Sequence, residues 1–192
     1  MSTDVKKFSV ADLKSAPVVD FIFSNPKMAW LWLIIRVWLG YQWVISGYGK
    51  LTNPGWMKGG EALKGFLSYS IQNALAAESH PPIAYKWYLS FLQGIVDSGA
   101  YTWMAKVVAI GEFTIGIALI LGLFTAAAAF FSGFMVWNFA LAGTAGVAPM
   151  FLILSVLVVA AWRIAGLWGL DRFRFEYVGT VWQPGKWFIK RK

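Results

Sequence analysis

The sequence has no cysteine and a single histidine, His80. Without a thiol the chain by itself holds no disulfide, no sulfur nucleophile, no CxxC haem attachment and no iron–sulfur cluster. One imidazole excludes a multi-histidine metal site and bis-histidine haem ligation within the chain. His80 precedes Pro81 and Pro82, which reads as a solvated loop. Charge is also sparse, at 14% of residues against about 25% in ordinary soluble domains. Acidic residues are the scarcer kind, with nine against seventeen basic and a net charge of +8. In a soluble protein that excess points to nucleic acid. Here it gathers at the termini, where it sets orientation and touches anionic lipid, so no nucleic-acid partner is expected. No short apolar core with a small-residue cleavage site precedes the first long apolar run, and no cleaved signal peptide is expected.

What the chain does have is apolar surface and tryptophan: 58% of residues are hydrophobic and 12 are Trp. The Trp residues cluster near the ends of apolar runs, as in an interfacial aromatic belt. The organising stretch is 28–51, MAWLWLIIRVWLGYQWVISGYGKL. It exceeds the about 20 apolar residues a helix needs to cross a bilayer core. Arg36, Gly40, Trp43, Gly47 and Lys50 recur along it at helical spacing and share one stripe. The glycines admit a close neighbour, and the charges must face protein, because a charge at mid-membrane is costly.

Residues 1–27 read as a polar segment with a short surface helix bracketed by Pro17 and Pro26. Residues 52–102 read as a long outer loop. Within it, Leu63, Phe66, Leu67, Ile71, Ala74 and Leu75 form one amphipathic face, and Ala84, Tyr88, Phe91, Leu92 and Ile95 another. Those two short helices either pack over the bundle or act as a lid. Three further spans are expected over 103–124, 125–148 and 149–170, with short connectors that make them antiparallel neighbours. The expected fold is thus an all-α integral membrane protein: a four-helix transmembrane bundle over 28–170 with interfacial helices in its first loop. The tail 171–192 is basic and aromatic. Its run Arg172-Phe-Arg-Phe-Glu-Tyr-Val178 alternates and suggests an extended segment, with Trp182, Trp187 and Phe188 as surface anchors. Basic residues on both flanks, including Lys6, Lys7, Lys14, Lys27, Arg172 and Arg174, place both termini in the cytoplasm of a prokaryotic cell.

Helical rise places Arg36 about 12 Å, Asn138 about 15 Å, Glu112 about 18 Å and Arg163 about 9 Å from the inner edge. Glu112 shares its face with Ala105, Ala109 and Gly116. Pairing it with Arg36 or Arg163 is the economical arrangement, since an unpaired buried charge costs several kcal/mol, on the order of 3–5. Two readings stand side by side: an ion pair that fixes helix register, or a ligand site between helices. Lys50 is either a snorkelling lysine or part of that site.

Several of these residues resemble a known family. Arg36-x3-Gly40-x6-Gly47-x2-Lys50-Leu51, then Gly111-Glu112-x3-Gly116-x2-Leu119-x2-Gly122-Leu123, then Gly166-Leu-Trp-Gly169-Leu170-Asp171, resemble in order the motifs of the DoxX/DoxD family. The long first loop with Trp56, Gly59, Gly60 and Gly65-Phe66-Leu67 is more similar to the DoxD type. That resemblance implies a four-helix membrane protein. For the DoxD type it also implies the large subunit of thiosulfate:quinone oxidoreductase with a small DoxA-like partner, joining two thiosulfates to tetrathionate and passing two electrons to quinone.

On that footing, Glu112 and Arg36 are the candidate catalytic groups, a proton relay and an oxyanion contact. Lys50, Trp56 and Lys58 are the candidate contacts for the thiosulfate dianion. Trp43, Asn138 and Arg163 are the candidates for binding quinone, the electron acceptor; the lipid bilayer and a homo-oligomeric partner are also expected. No metal or haem is expected on this chain alone, so a partner carries the electrons or sulfur reacts directly with quinone. The rival reading is a non-catalytic quinone-binding anchor or assembly subunit of a respiratory complex. A small-solute permease is a third class, against which stands the thin pathway that four spans form unless they oligomerise.

Overall fold

The computed structural model describes residues 16–77, 79–144, 146, 148–179 and 186. The described chain is helical. Helix α1 is Pro17–Ser24, α2 Ala29–Thr52, α3 Pro54–Met57, α4 Glu61–Ala76 and α5 Lys86–Asp97. These are followed by α6 Tyr101–Leu121, α7 Thr125–Leu141, α8 Ala148–Ala160, α9 Trp162–Ala165 and α10 Asp171–Tyr177. Helices α2 and α6 are long and apolar enough to cross a membrane, whereas α7 and α8 are equally apolar but have 17 and 13 residues. Their outward residues, among them Ile34, Tyr41, Ile45, Val107, Ile110, Phe130, Phe134 and Trp137, are large, apolar and exposed. A contiguous apolar exterior of this kind suits lipid rather than water.

Helices α2 and α6 run antiparallel in close contact, and the glycines of the stripe permit it. A Cβ on Gly40 would lie 2.7 Å from the Gly116 carbonyl oxygen, and one on Gly116 would lie 2.6 Å from the Val44 nitrogen. A Cβ on Gly47 would strike the backbone of Phe113. Helix α6 ends at Gly122, whose φ of +65° is left-handed. The Leu123 amide reaches back to the Ala118 carbonyl at 3.0 Å, closing the turn as glycine C-caps do. Helix α7 starts from Phe124, itself left-handed at φ +48°. The buried Asp171 carboxylate accepts from the amides of Phe124 (3.0 Å) and Thr125 (2.8 Å), satisfying two donors at that helix start.

One core lies between α2, α6, α7 and α8, around Trp32, Leu39, Trp43, Leu119, Ala129 and Val158. A second lies where α4 and α5 cover the bundle end, around Leu63, Leu67, Ala74, Tyr88, Leu92, Ile95 and Ala105. Both loop helices thus form where their apolar faces are expected, although Leu75 and Phe91 remain exposed. Burial pushes the Tyr88 phenol above its ordinary pKa, and its hydroxyl donates to the Asn138 carbonyl at 2.9 Å.

The tail departs from expectation. Residues 171–177 are helix α10, not an extended segment. Asp171 sits in the first turn, where a carboxylate suits the helix dipole, and pairs with Arg174 one turn on at 2.8 Å. Arg174 also lies over the rings of Phe124 and Phe175. These local contacts favour helix over the alternation of Phe173, Phe175 and Tyr177. At the other end, α1 is the short helix between Pro17 and Pro26. The expectations for Lys6, Lys7, Lys14, Trp182, Trp187 and Phe188 fall outside the described residues.

Candidate functional site

Side chains on a helix lean toward its N-terminus, and two antiparallel helices therefore lean in opposite directions. On α2, Lys50 leans back over Ser46, one turn earlier. On α6, Glu112 leans the other way, toward Lys50. They meet: the Lys50 ammonium donates to Glu112 Oε2 at 2.6 Å and to Ser46 Oγ at 2.7 Å. The Ser46 hydroxyl donates to the same Glu112 oxygen at 2.8 Å. The Glu112 side chain is 1% exposed and that of Lys50 20%. The third side of Lys50 faces the Trp56 ring, 5.2 Å from its centroid.

The same lean takes Arg36 away from Glu112. Arg36 lies 14 residues before Lys50, about 21 Å along the helix axis. There α2 runs beside the last turn of α6, whose carbonyls lack intrahelical donors. Arg36 donates to the carbonyls of Leu119 (2.5 Å), Ile120 (2.8 Å) and Trp168 (2.8 Å). A buried cation at a helix C-terminus is favoured by the dipole. The expected pairing of Glu112 with Arg36 or Arg163 is therefore replaced by pairing with Lys50. Depth counted along each helix separately misses which way each side chain points. Arg163 lies on α9, exposed, over the Trp162 ring at 5.5 Å.

Around Glu112 and Lys50 lies a cavity of about 430 Å³. Its walls include Gln42, Trp43 and Ser46 from α2, Trp56 from α3, Leu63 and Phe66 from α4, and Val136 and Phe139 from α7. Thr144, Ala148 and Phe151 complete one side. Trp43 is fixed by its indole N–H, which donates to Ser132 Oγ at 2.7 Å, and Ser132 in turn meets Ser155 at 2.8 Å. Short α3 carries Trp56 over the cavity. Asn53 caps it through the Gly55 amide at 2.8 Å, and Gly60, at φ +75°, packs against Tyr101 so closely that a Cβ would lie 2.6 Å from that carbonyl.

The structure thus brings together four of the expected site residues: Glu112, Lys50, Trp56 and Trp43. Arg36 and Arg163 lie elsewhere. Asn138 turns its amide to the Phe134 carbonyl of its own helix, and Lys58 is exposed beyond the end of α3. Ser46, Gln42, Phe139 and Phe151 were missed. A signal for two of them was present: Gln42, Ser46 and Lys50 follow one another at i, i+4 and i+8, a polar column inside an apolar helix.

One oxygen of Glu112 is chemically incomplete. Glu112 Oε1 is buried and has no hydrogen-bond partner among the described residues. A carboxylate oxygen only accepts, so only a donor can complete it. No cluster of three or more metal-ligating side chains occurs among the described residues. The site is an apolar, aromatic-walled cavity with the Lys50–Glu112 ion pair in its lining.

No curated protein and no solved structure matches this chain. The DoxX family model matches residues 31–145, a range that begins in the first turn of α2 and holds Arg36, Lys50, helices α3 to α5, Glu112 and most of the cavity wall. With that match over more than half its length, and with the apolar exterior of α2 and α6, the chain belongs to the DoxX family of membrane proteins.

Proposed function

We propose that this chamber binds the head group of a membrane quinone and that the chain is the membrane subunit of a quinone-linked oxidoreductase. One observation carries the reading: a buried carboxylate, charge-balanced by Lys50, lies in the lining of an aromatic cavity of about 430 Å³, of head-group size. Pockets for flat cofactors are mostly apolar, with a few convergent polar groups, and this one fits that description. Phe139, Phe151 and Trp43 supply faces for a ring, and the surrounding lipid supplies the solvent for an isoprenoid tail. A buried ionisable residue in such a place is a functional group by default. The resemblance of the motifs to the DoxX/DoxD family points to the same chemistry.

The finer reading is oxidation of thiosulfate to tetrathionate. Its support is the long first loop with Trp56, Gly59 and Gly60. Lys50 is engaged by Glu112, which leaves exposed Lys58 as the outer cation for a dianion. Electrons then arrive from a second, DoxA-like subunit or by direct reaction of sulfur with quinone. The same reading places α7 and the α8–α9 pair across the bilayer with α2 and α6, and both termini in the cytoplasm.

The test uses membranes with and without this chain, and measures quinone reduction with thiosulfate as donor and, separately, with endogenous donors. Chain-dependent quinone reduction with any donor supports the quinone-linked role. Dependence on thiosulfate supports the finer one. Failure of a photoreactive quinone analogue to label residues of the cavity wall overturns both.

A further inference from the structure

We infer that Gln42 holds a ring oxygen of the head group, and that it holds the oxidised and the reduced ring alike. This rests on the head-group reading above and goes further by naming the contact that orients the ligand. The polar side chains of the cavity divide by whether the protein already answers them. Lys50, Ser46 and Glu112 Oε2 bond to one another, the Trp43 indole donates to Ser132, and the Thr144 hydroxyl donates to the Phe139 carbonyl. Glu112 Oε1 lacks a partner among the described residues but is sealed, out of reach of a ligand. The Trp56 indole N–H also lacks one, but it sits on α3, beyond the end of α2. Gln42 is different. It lies near the middle of α2, between Tyr41 and Ile45 on the exposed apolar side, and its amide has no hydrogen-bond partner among the described residues. The residue is half-buried and lines the cavity, and its amide oxygen and nitrogen keep accessible surface.

Inside a bilayer no bulk water satisfies such an amide, and an unpaired polar group in an apolar medium is costly. A ligand that brings a polar atom into the cavity removes that cost. Phe151 lies against Trp38 (5.6 Å between ring centroids) and Trp43 (6.4 Å), the residues one turn before and directly after Gln42. Aromatic faces for a flat ring thus stand beside the amide. A quinone oxygen only accepts, whereas a quinol oxygen also donates. The amide NH2 meets the first and the amide carbonyl meets the second, so a turn of the side chain serves either form. Losing this contact is expected to weaken both forms about 3- to 10-fold. Their affinity ratio should stay within about twofold, which moves the midpoint potential of the bound two-electron couple by less than about 10 mV.

The experiment is anaerobic titration calorimetry of the full chain in detergent micelles with three tail-less probes: duroquinone, durohydroquinone and durene, the same ring without oxygens. On the native chain both oxygenated probes should bind more tightly than durene. Gln42→Met keeps an unbranched side chain of similar size without the amide, and should weaken both oxygenated probes about 3- to 10-fold while leaving durene within about twofold. Gln42→Leu repeats the measurement should Met disturb the fold. Ile45→Met, on the exposed face of the same helix, is the control and should change none of the three. Oxygenated probes that bind folded Gln42→Met as tightly as the native chain overturn this inference and leave the head-group reading in place. Weakening of one oxidation state alone overturns it, because Gln42 would then read a single form. Equal weakening of durene overturns it too, since the side chain would be acting through cavity shape. Durene binding the native chain as tightly as duroquinone does so without any variant. Absence of binding by both oxygenated probes to the native chain overturns the head-group reading as well.

Discussion

Replacing Lys50 by Met strips a buried carboxylate of its counter-ion while the Ser46 hydroxyl remains. Removing one partner of a buried pair costs about 3–5 kcal/mol, because the other charge is left uncompensated. Replacing Glu112 by Leu is the milder change. Lys50 is 20% exposed and has a flexible stem, so it can turn its ammonium toward the open side of the cavity, at a cost of about 1 kcal/mol. The double variant Lys50→Met with Glu112→Leu exchanges the pair for apolar side chains of similar volume and should fall within about 1 kcal/mol of the native chain. The two single costs therefore exceed the double by about 3 kcal/mol, which is the coupling. Arg36→Met with Glu112→Leu is the control. Arg36 binds the carbonyls of Leu119, Ile120 and Trp168 and shares no partner with Glu112, so those effects should add to within about 0.5 kcal/mol. The assay is equilibrium unfolding of all variants in one detergent, followed by helical signal. A Lys50–Glu112 coupling near zero, or a larger coupling of Glu112 to Arg36, would refute the pairing and with it the site.

Other consequences follow from contacts on the same helices. Gly47→Ala places a methyl against the Phe113 backbone and should destabilise by about 1–3 kcal/mol, whereas Gly49→Ala, with nothing within 4 Å, should gain about 0.5–1 kcal/mol in the same unfolding assay. Asp171→Ala removes the cap of α7 and should cost about 1–2 kcal/mol, while Asp171→Asn keeps an acceptor and should lower the melting temperature less. The raised pKa of Tyr88 sets a sign for alkaline pH. Past the ordinary phenol value of about 10, the unfolded chain gives up this proton first, so stability is full below that pH and falls as pH rises toward the folded value. Tyr88→Phe should remove that slope in alkaline melts. It should also lose about 1 kcal/mol at neutral pH with the hydrogen bond to Asn138.

Much of the architecture was decided by the sequence alone. Apolar runs marked α2 and α6 because a helix must bury or expose to lipid whatever its period places on each face. The spacing of Gly40 and Gly47 announced a close helix neighbour, and Gly116 on the facing helix completes the contact. The apolar faces of α4 and α5 announced the second core. Glu112 stood out as a site residue because a lone carboxylate deep in an apolar helix must be answered by something. What answers it was not legible. The choice of Lys50 over Arg36 depends on α2 and α6 being antiparallel, since side-chain lean then carries Lys50 toward Glu112 and Arg36 toward the open carbonyls of α6. Spacing along one helix cannot reveal which turn of another lies beside it. Asp171 shows the same limit: its sequence neighbours suggest its pair with Arg174, but the amides it caps belong to a turn more than forty residues earlier. The cavity itself exists only in three dimensions. Its walls come from α2, α3, α4, α6, α7 and α8, and only their packing brings Trp43, Trp56 and Phe151 around the Lys50–Glu112 pair.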